Sequence, residues 1–455
     1  MTASATGVTR EAVRVADCFL LAHDDFMRRT KQGRHVSQSI IELGGVPDLA
    51  RLRPALDRLV QKHPLLAGRL RRDWRTWLPF WEIPPAPARG LPLKLWRERG
   101  SAGGLAGATE VEDTMELLQL IMTEPLDVDG IAFKARLDVV EARDGHCRVA
   151  LSWSHLLIDG KGAELLLAEI GRLCDGVDVP CEAKEPVRPE MTFQEKIKKT
   201  KAAVYRLEDL AKIGAPSLAG PHPRQGRGFY QVIVLNREDS AKLTARVEAL
   251  AGALFPMMFY VACAARAHDR VFQHRGKAHK GYVVSVPVQT RKRGARGPLF
   301  HNQVSIFFFS AVREALGTIE AATASMKQQF AEMTRGKLDE SFLVVLEMMM
   351  RLPSWMFMRV VRWQFKGEMC SFFHSHTGVF APELVDFAGA KVTNAYHLPC
   401  LATPPGTGLF FCERDGQVNI TVTWREGCLT DEERRLMLGQ TMEDLFGEPR
   451  PDLLS

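Results

Sequence analysis

Apolar positions recur at helical spacing from Leu49 to Lys62, with Leu52, Leu56, Leu59 and Val60 on one face. Pro64 ends that run, because proline lacks an amide and restrains the residue before it. The spacing predicts another helix over Val111–Met122, ahead of Pro125. Two strand-like runs follow, Ile131–Val140 and Cys147–Trp153, and Gly145 between them suits a hairpin turn. After Asp159-Gly160 the period is helical again, turning Ala163, Leu166, Leu167 and Ile170 inward until Cys174–Gly176. The segment from Leu20 to Ile41 has no period that assigns its elements.

A stretch carrying Pro180, Pro186, Pro189, Pro216, Pro221 and Pro223 then surrounds one predicted helix, Phe193–Ala211. It reads as a crossover, residues 179–228, between an N-terminal lobe, 1–178, and a C-terminal lobe, 229–455. The second lobe begins with a strand, Tyr230–Leu235, and a helix from Asp239. The apolar run Ala249–Ala265 reads as a buried helix, and Gly281–Gln289 and Gln303–Ala311 as buried strands. Gly408–Glu413 and Val418–Trp424 flank Asp415-Gly416 as a hairpin, and Thr430 with Glu433 caps the last helix. Each half mixes sheet and helix. The expected fold class is therefore α/β, with two similar two-layer lobes around a central cleft and channel.

Composition narrows the function classes. Sixty Lys and Arg against 54 Asp and Glu leave a formal charge of +6 over 455 residues, too mild to argue for nucleic acid. The nine cysteines form no Cys-x-x-Cys pair, so neither a metal site nor a disulfide scaffold is implied, and a reducing cytoplasm is expected. Arg10, Arg14 and Asp17 interrupt any early apolar stretch of the kind a secretory signal needs. Ala249–Ala265 falls short of the roughly 20 residues that span a bilayer. The apolar segment Phe342–Phe365 carries Glu347, Arg351, Arg359 and Arg362; core packing is one reading of it, peripheral membrane contact the other.

The sharpest local feature is Ser154-His155-Leu156-Leu157-Ile158-Asp159-Gly160, where a predicted strand gives way to a helix. A strand end presents an imidazole rigidly, and Asp159 is placed to cap the helix that follows. By spacing alone His155 is either a satisfied structural histidine or a fixed general base. Ser154 is a poor nucleophilic partner, since adjacent strand residues point to opposite faces, and no Gly-x-Ser-x-Gly is present. Direct transfer without a covalent enzyme intermediate is the chemistry this favours.

The segment resembles the His-His-x-x-x-Asp-Gly signature of the CoA-dependent acyltransferase superfamily. That superfamily includes chloramphenicol acetyltransferase, the wax ester synthase/diacylglycerol acyltransferase and alcohol acyltransferase branch, and the condensation domains of peptide synthetases. The signature's base falls on His155, its geometry-holding Asp on Asp159 and its glycine on Gly160, while Ser154 stands in place of the first His. Other stretches are similar to the family in order: Lys62-His63-Pro64-Leu65-Leu66, Val284-Ser285-Val286-Pro287-Val288 followed by Arg291, and His301-Asn302-Gln303-Val304-Ser305, with His301 for Gly. Ser375-His376-Thr377-Gly378 occupies the place of a strand end that faces the base in the family.

The resemblance implies an O- or N-acyltransferase in which His155 deprotonates an alcohol or amine attacking an acyl thioester. Asp159, Ser154, Gly160 and Asn302 support the motif, and Ser375 and Thr377 are hydroxyl candidates for the developing oxyanion. His374, His376 and Asn394 have weaker claims and a structural alternative. The basic loop with Arg291, Lys292 and Arg293 is a candidate for the phosphates of the donor. Acyl-CoA is the expected donor, as a substrate and not a resident cofactor; a phosphopantetheinyl acyl carrier protein is the alternative. Three rival readings remain: a carrier-dependent condensation enzyme forming an ester or amide; a silent scaffold of the same fold, to which Ser154 lends weight; and, more narrowly, a wax or glyceride synthase, which the two apolar segments motivate. The Phe- and Met-rich stretches 255–259 and 342–358 read as acyl-channel lining or as core.

Overall fold

The computed structural model describes residues 2–3, 8–85, 89–126, 130, 132–178, 191–292 and 294–454. Ile131, Arg293 and the first part of the proline-rich stretch, 179–190 with Pro180, Cys181, Pro186 and Pro189, lie outside the described residues. The first half runs β1 (Thr2–Ala3), β2 (Thr9–Ala12), α1 (Val15–Arg29), β3 (Val36–Leu43), α2 (Leu49–Lys62), β4 (Arg69–Arg72), β5 (Pro79–Ile83), β6 (Leu93–Glu98) and β7 (Thr109–Val111). It continues through α3 (Thr114–Ile121), β8 (Ala135–Glu141), β9 (Cys147–Ser154) and α4 (Gly160–Cys174) to the crossover helix α5 (Phe193–Ile213). The second half comprises β10 (Gly228–Val234), α6 (Arg237–Ala251), α7 (Pro256–His274), β11 (Gly281–Gln289), β12 (Val304–Val312), α8 (Ile319–Arg335), α9 (Leu338–Met349) and α10 (Ser354–Trp363). β13 (Phe372–Val379), β14 (Asp386–Phe387), β15 (Ala390–Leu398), β16 (Thr407–Arg414), β17 (Gln417–Arg425) and α11 (Asp431–Phe446) complete it.

These elements build two α/β lobes about a central cleft. A seven-stranded mixed sheet, β14-β15-β3-β9-β8-β6-β7, carries α2 and α4 on one face, where Leu52, Leu56 and Leu59 meet Leu166, Leu167 and Ile170. Its other face, through Ile40, Val140 and Ala150, meets α3 together with Tyr230 and Cys412 of the second lobe. The six-stranded sheet β10-β17-β16-β13-β11-β12 packs α7 and α11 over a core that includes Phe259, Val284, Phe309 and Leu438. A small sheet, β1-β2-β5-β4, is hydrogen-bonded to neither but packs Leu70, Trp81 and Ile83 into the first lobe's core.

Several sequence expectations shift by a few residues for local reasons. α3 starts at Thr114 and not Val111, because Asp113 caps it and Val111 pairs in β7. The apolar run from Ala249 is two helices meeting at 97°: Gly252, at φ 84°, ends α6, and Pro256 opens α7. Among the described residues no single helix is long and apolar enough to cross a membrane. The unassigned segment folds as α1 and β3.

The two halves are interleaved. β14 and β15 leave the second half for this sheet, β15 pairing with β3 through Ala395↔Ile41 and Tyr396↔Ile40 and β14 with β15, before the chain returns to β16. A cut after residue 228 therefore does not separate the two sheets, because β3 needs an edge partner that only residues 390–398 supply. The crossover helix α5 packs its buried Leu210 against Val283 and Phe365, on the second lobe.

Candidate active site

His155 follows β9 directly, and the neighbouring chain fixes its position. Its N–H donates to the His35 carbonyl at 3.0 Å, and its own carbonyl accepts from Asn302 Nδ2 at 2.8 Å. The ring lies edge-on to Trp153, 4.9 Å between centroids, and 5.1 Å from the ring of His35. His155 stays partly exposed while Nδ1 is buried without a partner. Burial holds its pKa below the usual 6.5, outweighing the upward pull of its own carbonyl, Asp159, Asn302 and Asp17. The ring is therefore neutral at pH 7, the state a base requires.

Asp159 organises the turn after it. One carboxylate oxygen accepts the Gly162 N–H at 2.7 Å and caps α4; the other accepts Arg291 Nη1 at 2.6 Å and the Gln303 N–H at 2.8 Å. Its two outer partners belong to the loop between β11 and β12, so this one side chain ties the lobes together. Arg291 is thereby corrected: its side chain is 4% exposed and paired to Asp159, with Nε and Nη2 donating to the Pro298 carbonyl. A guanidinium consumed this way is not free for a donor phosphate. Lys292 is exposed, and Arg293 lies outside the described residues.

Asn302 is buried and also donates to Asp17 Oδ1, at 2.7 Å. Asp17, fully buried on α1, accepts besides from the Asn302 N–H and from His301. His301 sits at φ 63°, a conformation glycine adopts freely, which explains the glycine of the family-like element. Burial lowers its pKa, but hydrogen bonds to Asp17 and Glu11 outweigh that and raise it to about 9. The cation so formed bridges two carboxylates across the lobes.

Gly160 and Gly162 exchange importance. A Cβ on Gly160 would meet nothing closer than His397, at 3.9 Å, whereas one on Gly162 would stand 2.2 Å from the Leu299 carbonyl oxygen and 2.7 Å from Ile158. Gly162→Ala is thus expected to lose roughly 1–3 kcal/mol of stability by overpacking, and Gly160→Ala to stay within about 0.5 kcal/mol or gain. Denaturant melts check this, and equal losses in the two variants would remove the steric argument.

Ser375 and Thr377 lie on β13, which pairs with β11 only at Val284↔Phe372 and Ser285↔Phe373 and stays with β16 beyond. Both hydroxyl residues are partly buried where β13 has left β11, and Thr377 Oγ1 is buried with no partner. They stand at every second position from Phe373, which packs in a cluster with Phe19 and Phe26 of α1. The alternate residues turn to the core. His374 bonds the Leu409 carbonyl and the His376 ring lies tilted against Tyr260, 4.8 Å between centroids, while Asn394 exchanges two 3.0 Å bonds with Asn419. Ser154 is buried and bonds through its N–H to the Lys134 carbonyl. Met258 and Phe259 belong to the second core, Phe357 belongs to the cluster against α1, and Phe342 and Leu343 are buried.

Three groups around His155 carry no motif. His23 and His35 continue its ring contact, with centroids 5.0 Å apart, and burial lowers the pKa of His23 to about 4 and that of His35 well below 6.5. Asp24 accepts the His35 N–H at 2.7 Å. On the other side Ser39 accepts from Trp153 and bonds His397, which meets the buried Glu164 at 3.1 Å. A charged or imidazole side chain at a helical position that periodicity would call apolar is the only signal in the sequence, and it names no partner.

No family model matches the sequence, and no curated protein matches it either. Solved structures do. Trichothecene 15-O-acetyltransferase from Fusarium sporotrichioides superposes with a TM-score of 0.70 at 12% identity, over 99% of this chain and 98% of that one. The first condensation domain of the calcium-dependent antibiotic synthetase gives 0.66 at 16%, over 97% and 98%. The starter condensation domain of rhizomide synthetase, in complex with C8-CoA and Leu-SNAC, gives 0.62 at 14%, over 97% and 95%. The chain therefore has the two-lobed fold of the condensation-domain and chloramphenicol acetyltransferase-like superfamily.

Proposed function

We propose that this protein transfers an acyl group from a thioester to a hydroxyl or amine by direct attack, with His155 as the general base. The observation that carries the proposal is a neutral, partly exposed imidazole at a sheet end, clamped by His35 on one side and Asn302 on the other. Nδ1 is the buried nitrogen, which leaves Nε2 to take the acceptor's proton as its O or N bonds to the thioester carbonyl carbon. The tetrahedral intermediate collapses with loss of the C–S bond, and the imidazolium returns that proton to the thiolate. An ester or amide and a free thiol result. Thr377, with its unpartnered hydroxyl, is the first candidate to donate to the oxyanion and Ser375 the second. Asp159 and Arg291 position the base and do not touch substrate.

For the donor, likeness to condensation domains weighs toward an acyl group tethered to a carrier, while the starter condensation domain in complex with C8-CoA supports the free acyl-CoA that the sequence favours. The deciding assay offers acyl-CoAs, acyl-pantetheine and a loaded acyl carrier protein with mixed alcohols and amines, following free thiol and product mass. Turnover of free acyl-CoA alone supports the simpler donor. Turnover only from the loaded carrier supports condensation, and none from any donor removes the enzymatic reading.

The pH profile has a definite sign. A base whose pKa lies below 6.5 loses activity only as pH falls through that lower value, so kcat/KM is expected to be flat from about pH 7 upward. An acidic limb centred above pH 7 would assign the base elsewhere.

A further inference from the structure

Exposed tryptophan and arginine recur together on two elements nearly 280 positions apart. α10 buries Phe357 and Met358 against Phe19, Ala22 and Phe26 of α1. Its opposite face is apolar too: Trp355 is 52% exposed, Val360 47% and Trp363 78%. A surface helix ordinarily turns polar residues outward. Between Met348 and Gly367 the charged residues are Arg351, Arg359, Arg362 and Lys366, with no carboxylate among them.

The β4–β5 hairpin repeats the combination. Trp74 is 78% exposed and Trp77 56%, and the Arg75 guanidinium lies 4.8 Å over the Trp74 ring. Trp77 is held at φ 59°, a conformation unfavourable for a bulky side chain, although nothing buries it. The one nearby carboxylate at the tip, Asp73, is occupied by the N–H groups of Arg75 and Thr76.

Asp25 of α1 lies against the α10 patch, where with Phe26, Arg29, Trp355 and Trp363 it lines a surface hollow of about 300 Å³. Its own charge is met by Arg28 and Arg29, each at 2.7 Å, so the face as a whole stays positive.

We infer that this face docks on an anionic lipid bilayer. Tryptophan is amphipathic and settles at the headgroup level, and neighbouring arginines add attraction to anionic headgroups. A second copy of the chain would set arginine against arginine. The inference stands apart from the acyl-transfer reading, since it uses no residue of the site and its test needs no turnover.

The test is co-sedimentation of the full chain with vesicles of phosphatidylcholine alone and of phosphatidylcholine with phosphatidylglycerol. Binding is expected with the anionic vesicles only, and to weaken as salt rises. Trp355→Ala with Trp363→Ala, and separately Trp74→Ala with Trp77→Ala, should each lower affinity about tenfold or more. Arg359→Gln should lower it about fivefold. Leu254→Ala, equally exposed but remote in sequence from both patches, should change nothing. Tryptophan quenching of the wild-type chain by brominated lipid gives a readout that needs no variant, and quenching is expected. Absence of both sedimentation and quenching overturns the inference. So does vesicle binding that both tryptophan pairs leave intact, or patch-dependent self-association, or binding to an acidic protein, in place of vesicle binding.

Discussion

Alanine at His155 is expected to cut thioester-dependent acyl transfer by roughly 10²–10⁴-fold, the range over which a positioned base contributes. The fold should survive the change. Nδ1 has no hydrogen-bond partner, so deleting the ring strands no buried donor or acceptor, and the clamps at His35 and Asn302 run through backbone atoms that alanine retains. What is lost is packing against Trp153 and His35, worth about 1–2 kcal/mol at a partly exposed position. Thiol release and a melting curve on the same preparation check both halves. A silent scaffold would lose neither binding nor assembly, and thiol release equal to that of the unaltered chain would end the role assigned to this ring.

The largest loss of stability is expected from Arg291→Ala. Arg291 and Asp159 are 4% and 3% exposed, and removing the cation leaves a buried carboxylate and the Pro298 carbonyl short of their charged donor. Breaking such a pair from one side typically costs about 3–5 kcal/mol. Arg291→Lys should recover only part, because a single ammonium cannot donate to Asp159 and twice to Pro298 in the same geometry. A double-mutant cycle with Asp159→Asn isolates the coupling, which should exceed about 1 kcal/mol. Because the pair joins α4 to the β11–β12 loop, activity should fall with stability in Arg291→Ala. A denaturation midpoint unchanged by that substitution would contradict the geometry.

The sequence by itself determined the elements whose signals are local. α2 spans Leu49–Lys62 as its apolar spacing requires, and α4 begins behind the Asp159 cap with Ala163, Leu166, Leu167 and Ile170 all buried. The turn at Asp415-Gly416 has both residues at positive φ, and Thr430 with Glu433 forms the capping box. Each of these is decided within a few residues by hydrogen bonds or by burial of one face. The His155 segment was legible for the same reason, since a strand end, a cap and a glycine-rich first turn are contiguous.

Tertiary structure alone decided what depends on distant partners. α1 went unassigned because Asp17, His23 and Asp24 sit on its buried face, where a periodicity argument expects apolar residues. Asp17 is tolerated there because His301 and Asn302, more than 280 positions away, hydrogen-bond its carboxylate. Arg291 looked like one more member of a basic run until the fold set Asp159 against it, and β15 lies beside β3 although its sequence belongs to the second half. Gly162 matters more than Gly160 because the Leu299 carbonyl, from the other lobe, occupies the space a methyl would need. A charge or a missing side chain is explained by what it meets, and neighbours far along the chain leave no local trace.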